Sequence, residues 1–452
     1  MKAKVVFSPS NVAKDAYKEI VRQLDELDFS PNFLLLFFTE GMLKNREIII
    51  SAFKKRFPDT KMLGCVVEAF VVGNRIWTRG VAALLAEFDG QVEVFWARER
   101  GATSTIEKLG EKVGSGWDAI LLMFPAFYFP GKFGLLKGFL NDRRYYGKFV
   151  KEKSYDEKIR ILREYSNYLE GASLLFPVNR VLRIMADKTG GNTPIIGMNL
   201  MPLYATSNTP LILADYREIQ PGAAAICFKG RVNTIFHDVF PERGNSYEET
   251  FEIIKSVYTS VERVNVIKGG AVMGDVNGLT PTKFIKTKIR GFKELSQEIF
   301  LKEVEDGKLQ MVSPYGLAFI SKDTFGASSV GLFPYPISLY PSLFDLGEVY
   351  EDAIFYGEFF KGGVKKFGQI FENKMQETTF DFFIMDCNTI MSYGGDIYTL
   401  VEILKKNSAR WFGIFLSPPS AYLPSVSKKY LVEIENRICY NNCGTSAILG
   451  FI

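Results

Sequence analysis

Three stretches of this chain repeat one shape: a strand-length apolar run, an amphipathic stretch, then a second apolar run carrying a glycine. The first copy runs from PNFLLLFFTE (31–40) through REIIISAFKKRF to KMLGCVVEAF. The second runs from DFFIMDCNTI (381–390) through DIYTLVEILKKN to WFGI. Phe33 to Gly64 and Phe382 to Gly413 are each 31 positions apart. The third copy, DAILLMFPAF to TPIIGMNL, spans 77 positions from Ile120 to Gly197 and so contains an insertion. Strand, helix and strand at this spacing predict βαβ units with parallel strands and right-handed crossovers. Continuous apolar runs such as ILLMF predict a sheet buried on both faces. In REIIISAFKKRF, Ile48, Ile49, Ala52 and Phe53 are predicted to form the inward helical face.

Beyond Gly64 the chain reads as strand, turn at Gly73-Asn74, strand, turn at Gly80, strand. Each parallel unit is thus expected to feed an antiparallel meander. The predicted fold class is α/β: mixed β-sheets with outer helices, duplicated βαβ-plus-meander units in two halves, with stacked sheets as the preferred layout. The insertion, about 131–190, is helical in period and rich in basic and aromatic residues. It reads either as a solvated helical hairpin or as a docking surface for a membrane or protein partner. The passage 207–240 reads as hairpin strands, with turns at Pro221-Gly222 and Lys229-Gly230. Ser246 and Glu249 are spaced as a capping box that opens a helix. A boundary near 241–246 divides the chain into 1–243 and 244–452.

Composition narrows the function classes. The 452 residues leave room for roughly two to four domain-sized cores. Apolar residues make up 47% and charged residues 23%, too apolar for disorder. A net charge of +4 leaves no nucleic-acid footprint in the total. The opening MKAKVVFSPS has no signal-peptide pattern, and no apolar run reaches the roughly 18 residues of a membrane span. The expectation is a soluble cytoplasmic protein with no transmembrane segment.

The five cysteines, at 65, 227, 387, 439 and 443, are odd in number and mostly dispersed, unlike a disulfide framework. His237 is the single histidine in the sequence, which rules out multi-histidine metal sites within these residues. His237 reads as a packed strand residue, a haem ligand or an acid/base group. Cys387, followed by Asn388 and Thr389, reads as a buried thiol or a reactive one. IKGGAVMGDVNG lacks the ending of a P-loop, and its Asn277-Gly278 reads as a hairpin turn.

Several blocks, in order, resemble the FIST family of sensory input modules. In the first half they are AKDAYKEIVRQL, NFLLLFF, KMLGCVVEAF, DAILLMFP, LLKGF, NTPIIGMNL and GAAAICFKGRV. In the second they are VNVIKGGAVMGDVNGLTPTKFI, SPYGLAF, FDFFIMDC, WFGIF and NNCGTSAIL. Departures fall at strand ends: Glu68 lacks the family's preceding glycine, Asn388-Thr389 replaces Gly-Arg, Gly197-Met198 replaces Gly-Gly, and SPPSAYL follows Gly413. The resemblance implies a FIST N-like domain (1–243) and a FIST C-like domain (244–452). It further implies an intracellular sensor that binds a small ligand, an amino acid or similar metabolite, and signals through a separate protein partner. The expected lining residues are Cys65, Glu68, Asn199, Cys387, Asn388 and Asn442, with no catalytic residue and no metal. Some members bind haem, so a gas sensor using His237 is an alternative. An interaction scaffold built on the 131–190 insertion and an uncharacterised enzyme are the others. Oligomeric state is not legible.

Overall fold

The computed structural model describes residues 1–67, 69–73, 75–128, 131–191, 193–200, 210–237, 244–288, 316–321, 327–332, 337–342, 345–346, 350–359, 382–386, 410–415, 422–423 and 446–452. The chain opens with β1 (Lys2–Ser8), α1 (Ala13–Asp25), β2 (Phe33–Phe38), α2 (Arg46–Arg56), β3 (Lys61–Val66), β4 (Ala69–Val72), β5 (Arg75–Trp77) and β6 (Val81–Glu87). Next come β7 (Gln91–Ala97), α3 (Ala102–Val113), β8 (Ala119–Pro125), α4 (Gly131–Lys151), α5 (Tyr155–Gly171), α6 (Val178–Thr189) and β9 (Ile195–Leu200). Then follow β10 (Ile212–Ala214), β11 (Arg217–Glu218), β12 (Ala223–Lys229), β13 (Val232–His237), α7 (Tyr247–Val257), β14 (Tyr258–Val264), β15 (Val266–Gly269), β16 (Val272–Val276) and α8 (Pro281–Lys288). The remainder holds β17 (Gly316–Ser321), β18 (Ala327–Gly331), β19 (Tyr340–Pro341), β20 (Tyr350–Phe359), β21 (Phe382–Asp386), β22 (Arg410–Phe415), β23 (Tyr422–Leu423) and β24 (Ser446–Phe451).

The fold is mixed α/β, as the repeated pattern predicts. All three repeats form parallel pairs: β2 with β3, β8 with β9, and β21 with β22. They belong to three different sheets, ordered β1-β6-β2-β3-β10-β11, β23-β9-β8-β12-β7 and β13-β24-β21-β22-β4-β5. Two smaller sheets, β14-β20-β17-β18 and β15-β16-β19, complete the described strands.

Continuous apolar strands serve two layers at once, because side chains alternate across a strand. In β2, Phe33, Leu35 and Phe37 enter one core while Leu34, Leu36 and Phe38 enter another, beneath α1 and α2. In β8, Leu121 and Met123 share the core of Phe33, whereas Ile120, Leu122 and Phe124 pack under α3, α5 and α6. The shared core is where the three large sheets meet. Phe33, Phe228 and Phe451, one from each sheet, lie 5.2–5.4 Å apart by ring centroid.

The meander is redistributed. β4 and β5 pair as expected, but the chain changes sheets after Val67, so β4 extends the sheet of β22. β6 returns to lie between β1 and β2. Its VAALLA run is buried throughout, which suits a central position. Likewise the Lys229-Gly230 turn does not close a hairpin: β12 pairs with β7 and β8, and β13 pairs with β24. In α2 the inward residues are Ile49, Ile50 and Phe53, while Ile48 is exposed. The predicted face was therefore rotated by one position.

The Pro221-Gly222 turn likewise joins strands of different sheets, whereas the capping box at Ser246 and the Asn277-Gly278 turn match. The Ser246 hydroxyl accepts from the Glu249 amide (3.2 Å), and the Glu249 carboxylate accepts from the Asn245 amide (2.7 Å). Asn277 and Gly278 both have positive φ, 51° and 79°, as a two-residue hairpin turn requires. The insertion forms α4, α5 and α6, and α5 packs against β15 and β16.

Candidate functional site

The carboxyl edge of the β8–β9 parallel pair gathers the most informative side chains. Such edges are where open α/β sheets take ligands. In register, Met123 faces Met198, Phe124 faces Asn199 and Pro125 faces Leu200. Ile196, Met198 and Leu200 point into the core shared by the three sheets, and Ile195 points to the helix-covered side. Alternation puts Asn199 on the side of Ile195. α6 precedes β9 and packs on it, so its N-terminus lies at the same edge.

Backbone bonds tie this edge together. The Ala126 amide donates to the Leu200 carbonyl (2.6 Å), and the Phe176 amide donates to the Ala126 carbonyl (3.1 Å). The Tyr128 amide donates to Leu174 (3.1 Å), which lays residues 174–176 along 126–128 and delivers Pro177 as the N-cap of α6.

Asn199 is fully buried, and neither its Nδ2 nor its Oδ1 has a hydrogen-bond partner among the described residues. A carboxamide offers two donors and an acceptor with two lone pairs. Leaving all of them unmet in an interior costs about 1–3 kcal/mol per group. Most buried polar groups are satisfied, so an orphaned amide near the end of a strand is an exception that calls for a physical account. The Trp77 Nε1 is the other described buried polar site of this kind, on the short strand β5.

The first turn of α6 is bound to the C-terminal half through charge. Asn179 Nδ2 donates to the Asp345 carbonyl (3.0 Å), and the Asp345 amide donates to Asn179 Oδ1 (2.9 Å). Arg180 forms ion pairs with both Glu170 and Asp345. Burial pushes the Glu170 carboxyl above its ordinary range, and Arg180 and Ser166 oppose that shift. Nearby, Lys268 Nζ donates to the Leu346 carbonyl (2.9 Å). Burial lowers the Lys268 amine to about 8, with Asp345 opposing and Arg163 adding to the fall. Two carboxylates, Glu170 and Asp345, and two cations, Arg180 and Lys268, thus balance one another around this helix start.

Cys65 lies elsewhere. It pairs with Phe37 and Ile212, is fully buried, and faces the core shared by the three sheets. Burial pushes its thiol well above the ordinary range, which removes the thiolate a nucleophile needs. Cys65 and Asn199 therefore do not share a layer: Met198, not Asn199, faces the core that holds Cys65. Glu68, Cys387, Asn388 and Asn442 lie outside the described residues, as do Cys439 and Cys443. The backbone of His237 ends β13 opposite Ser446, and its side chain is outside the description. Among the described residues no group of three or more His, Cys, Asp and Glu side chains could hold a metal ion. No described helix is long and apolar enough to cross a membrane.

Sequence reasoning selected Asn199 but missed Asn179, Arg180, Glu170, Asp345 and Lys268. The partners in that network lie up to 166 residues apart in the sequence, so no local pattern announces it.

Comparison with known proteins adds two findings. Residues 248–361 match the family model described as AF0772-like protein C-terminal domain. Over 387 residues the chain is 27% identical to an uncharacterized protein of Archaeoglobus fulgidus, covering 85% of this chain and 99% of that protein. The stretch that matches the family model contributes Lys268 and Asp345 to the network around the start of α6.

Proposed function

We propose that this protein is a FIST-like sensor that binds a small polar molecule, an amino acid or similar metabolite, at the carboxyl edge of β8 and β9. The observation that carries this reading is Asn199, a buried carboxamide with no hydrogen-bond partner among the described residues. Its donors and acceptor suit the paired polar groups of a zwitterion or an amide. Apolar neighbours such as Phe124 would exclude water and strengthen each hydrogen bond.

The edge also offers an output. α6 begins at the same edge of the sheet as Asn199 and is clamped through Asn179 and Arg180 to Asp345 in the C-terminal half. A ligand that shifts the start of α6 would bias that clamp and be read by a separate protein.

Thermal-shift screening with amino acids and metabolites, followed by calorimetry on each hit, tests the reading. Asn199→Leu should raise the melting temperature of the ligand-free protein, because it removes unmet polar groups. It should also abolish the shift produced by the hit. A hit that binds Asn199→Leu as tightly as the wild type would place the ligand elsewhere.

A further inference from the structure

The outward side of α4 is not used by the ligand site, and it combines two kinds of exposed group. Phe133, Leu136 and Leu140 are 88%, 55% and 59% exposed. Their spacing of three and four residues puts them on one helical stripe. Lys137, Arg143, Arg144, Lys148 and Lys151 are exposed on the same half of the helix, Lys137 within that stripe and the other four continuing it toward the C-terminus. None of these five cations forms an ion pair with a described residue. The one carboxylate within α4, Asp142, points the other way and is buried.

This exposure does not come from a loosely attached helix. Asp142 accepts the backbone amides of Ser338 and Leu339, each at 2.9 Å. Asn141 Nδ2 donates to the Tyr168 hydroxyl (2.7 Å), and the Tyr145 ring lies 4.8 Å from that of Tyr165. Phe149 is buried in the core beneath α5. The inward side is therefore fixed, and the outward side is held as a rigid ridge. Its apolar knobs lie in the first half of the helix with Lys137 among them, and the other four cations follow.

We propose that α4 docks the protein on an anionic membrane surface. Phe133, Leu136 and Leu140 would enter the boundary between headgroups and acyl chains, and the five cations would face anionic headgroups. An interfacial helix needs both an apolar insertion and a cationic flank, because either alone gives only marginal attachment. A second copy of the chain is a poorer occupant, since two such faces would set like charges against each other.

Co-sedimentation with vesicles tests the proposal. One set is an equal mixture of phosphatidylcholine and phosphatidylglycerol; the other is phosphatidylcholine alone. The full chain should sediment with the mixed vesicles at low salt, not with the neutral ones, and should be released at about 0.5 M salt. Two variants, Phe133→Ser/Leu136→Ser/Leu140→Ser and Arg143→Gln/Arg144→Gln, should each weaken binding by about tenfold or more. Their melting temperatures should match the wild type, because the altered side chains are exposed. Absence of binding to mixed vesicles, equal binding to neutral ones, or binding unchanged in both variants overturns the proposal. So does a wild-type dimer that the triple serine variant converts to a monomer without any vesicle binding, since the face would then belong to a second copy.

Discussion

Gly64 faces Leu36 across the parallel pair of β3 and β2, and a Cβ on Gly64 would overlap the Leu36 carbonyl oxygen and stand 3.1 Å from its carbon. This close approach of two backbones accounts for the glycine without any ligand. Gly64→Ala should destabilise the fold by about 3 kcal/mol, because neither strand can move aside between buried layers. Chemical denaturation checks it, and an unchanged midpoint would sink the explanation.

Cys65 and Cys227 are both buried, and burial pushes both thiols upward, helped at Cys227 by the charge of Glu93. Thiolate is the reacting form. Alkylation of the native protein should therefore spare these two positions, and unfolding in denaturant should expose them. Peptide mapping by mass spectrometry separates the two states. Rapid native labelling of Cys65 would revive its reading as a reactive residue.

Arg180→Ala should destabilise the protein by about 3 kcal/mol, because it strands the buried Glu170 carboxylate. Arg180→Lys should recover only part of the loss, since a single ammonium cannot reproduce two separate guanidinium contacts. A double-mutant cycle with Asp345→Asn would report how strongly the two halves are coupled through this residue.

Asp142 and Glu170 have carboxyls raised by burial above their ordinary values of 3.8 and 4.5. For such acids the folded chain holds more protons than the unfolded one. Their stabilising contribution is complete below the ordinary value and is lost as pH rises through the folded value. The contribution of these two groups to the melting temperature should therefore be largest below their ordinary values and fall as pH rises toward neutrality, and Asp142→Asn should weaken that dependence. Lys268 acts at the other end. Its amine is lowered from 10.5 to about 8, so its contribution is present above 10.5 and is lost as pH falls through about 8. Lys268→Met should flatten the rise in stability between those values. Melting temperature against pH reads both effects, and an unaltered alkaline limb in Lys268→Met would refute the second.

Much of this architecture was legible because a buried strand advertises itself. FLLLFF and ILLMF are apolar at every position, and a continuous apolar run of that length marks a strand between two layers. Ser246 with Glu249 and Asn277 with Gly278 were legible for a different reason: their partners lie within a few residues. The change of sheet after Val67 was not, because a strand's pairing partner is chosen by remote segments. The same holds for Arg180 and Asp345, whose pairing has no local signature. Asn199 could be singled out as a polar residue at a strand end, but its burial and lack of partners belong to the packed molecule.

The crossing after Val67 also constrains the order in which this chain can become a protein. As the polypeptide leaves the ribosome, the β4–β5 hairpin emerges early, yet its neighbour β22 is made only after hundreds of further residues. β13 likewise waits for β24, and β9 for β23. During that interval, unpaired strand borders and apolar faces are open to any passing chain. Nascent copies of this protein should therefore lean on chaperones until the last strands arrive, and losing β24 should trap material whose first half has the right sequence and nothing to close against.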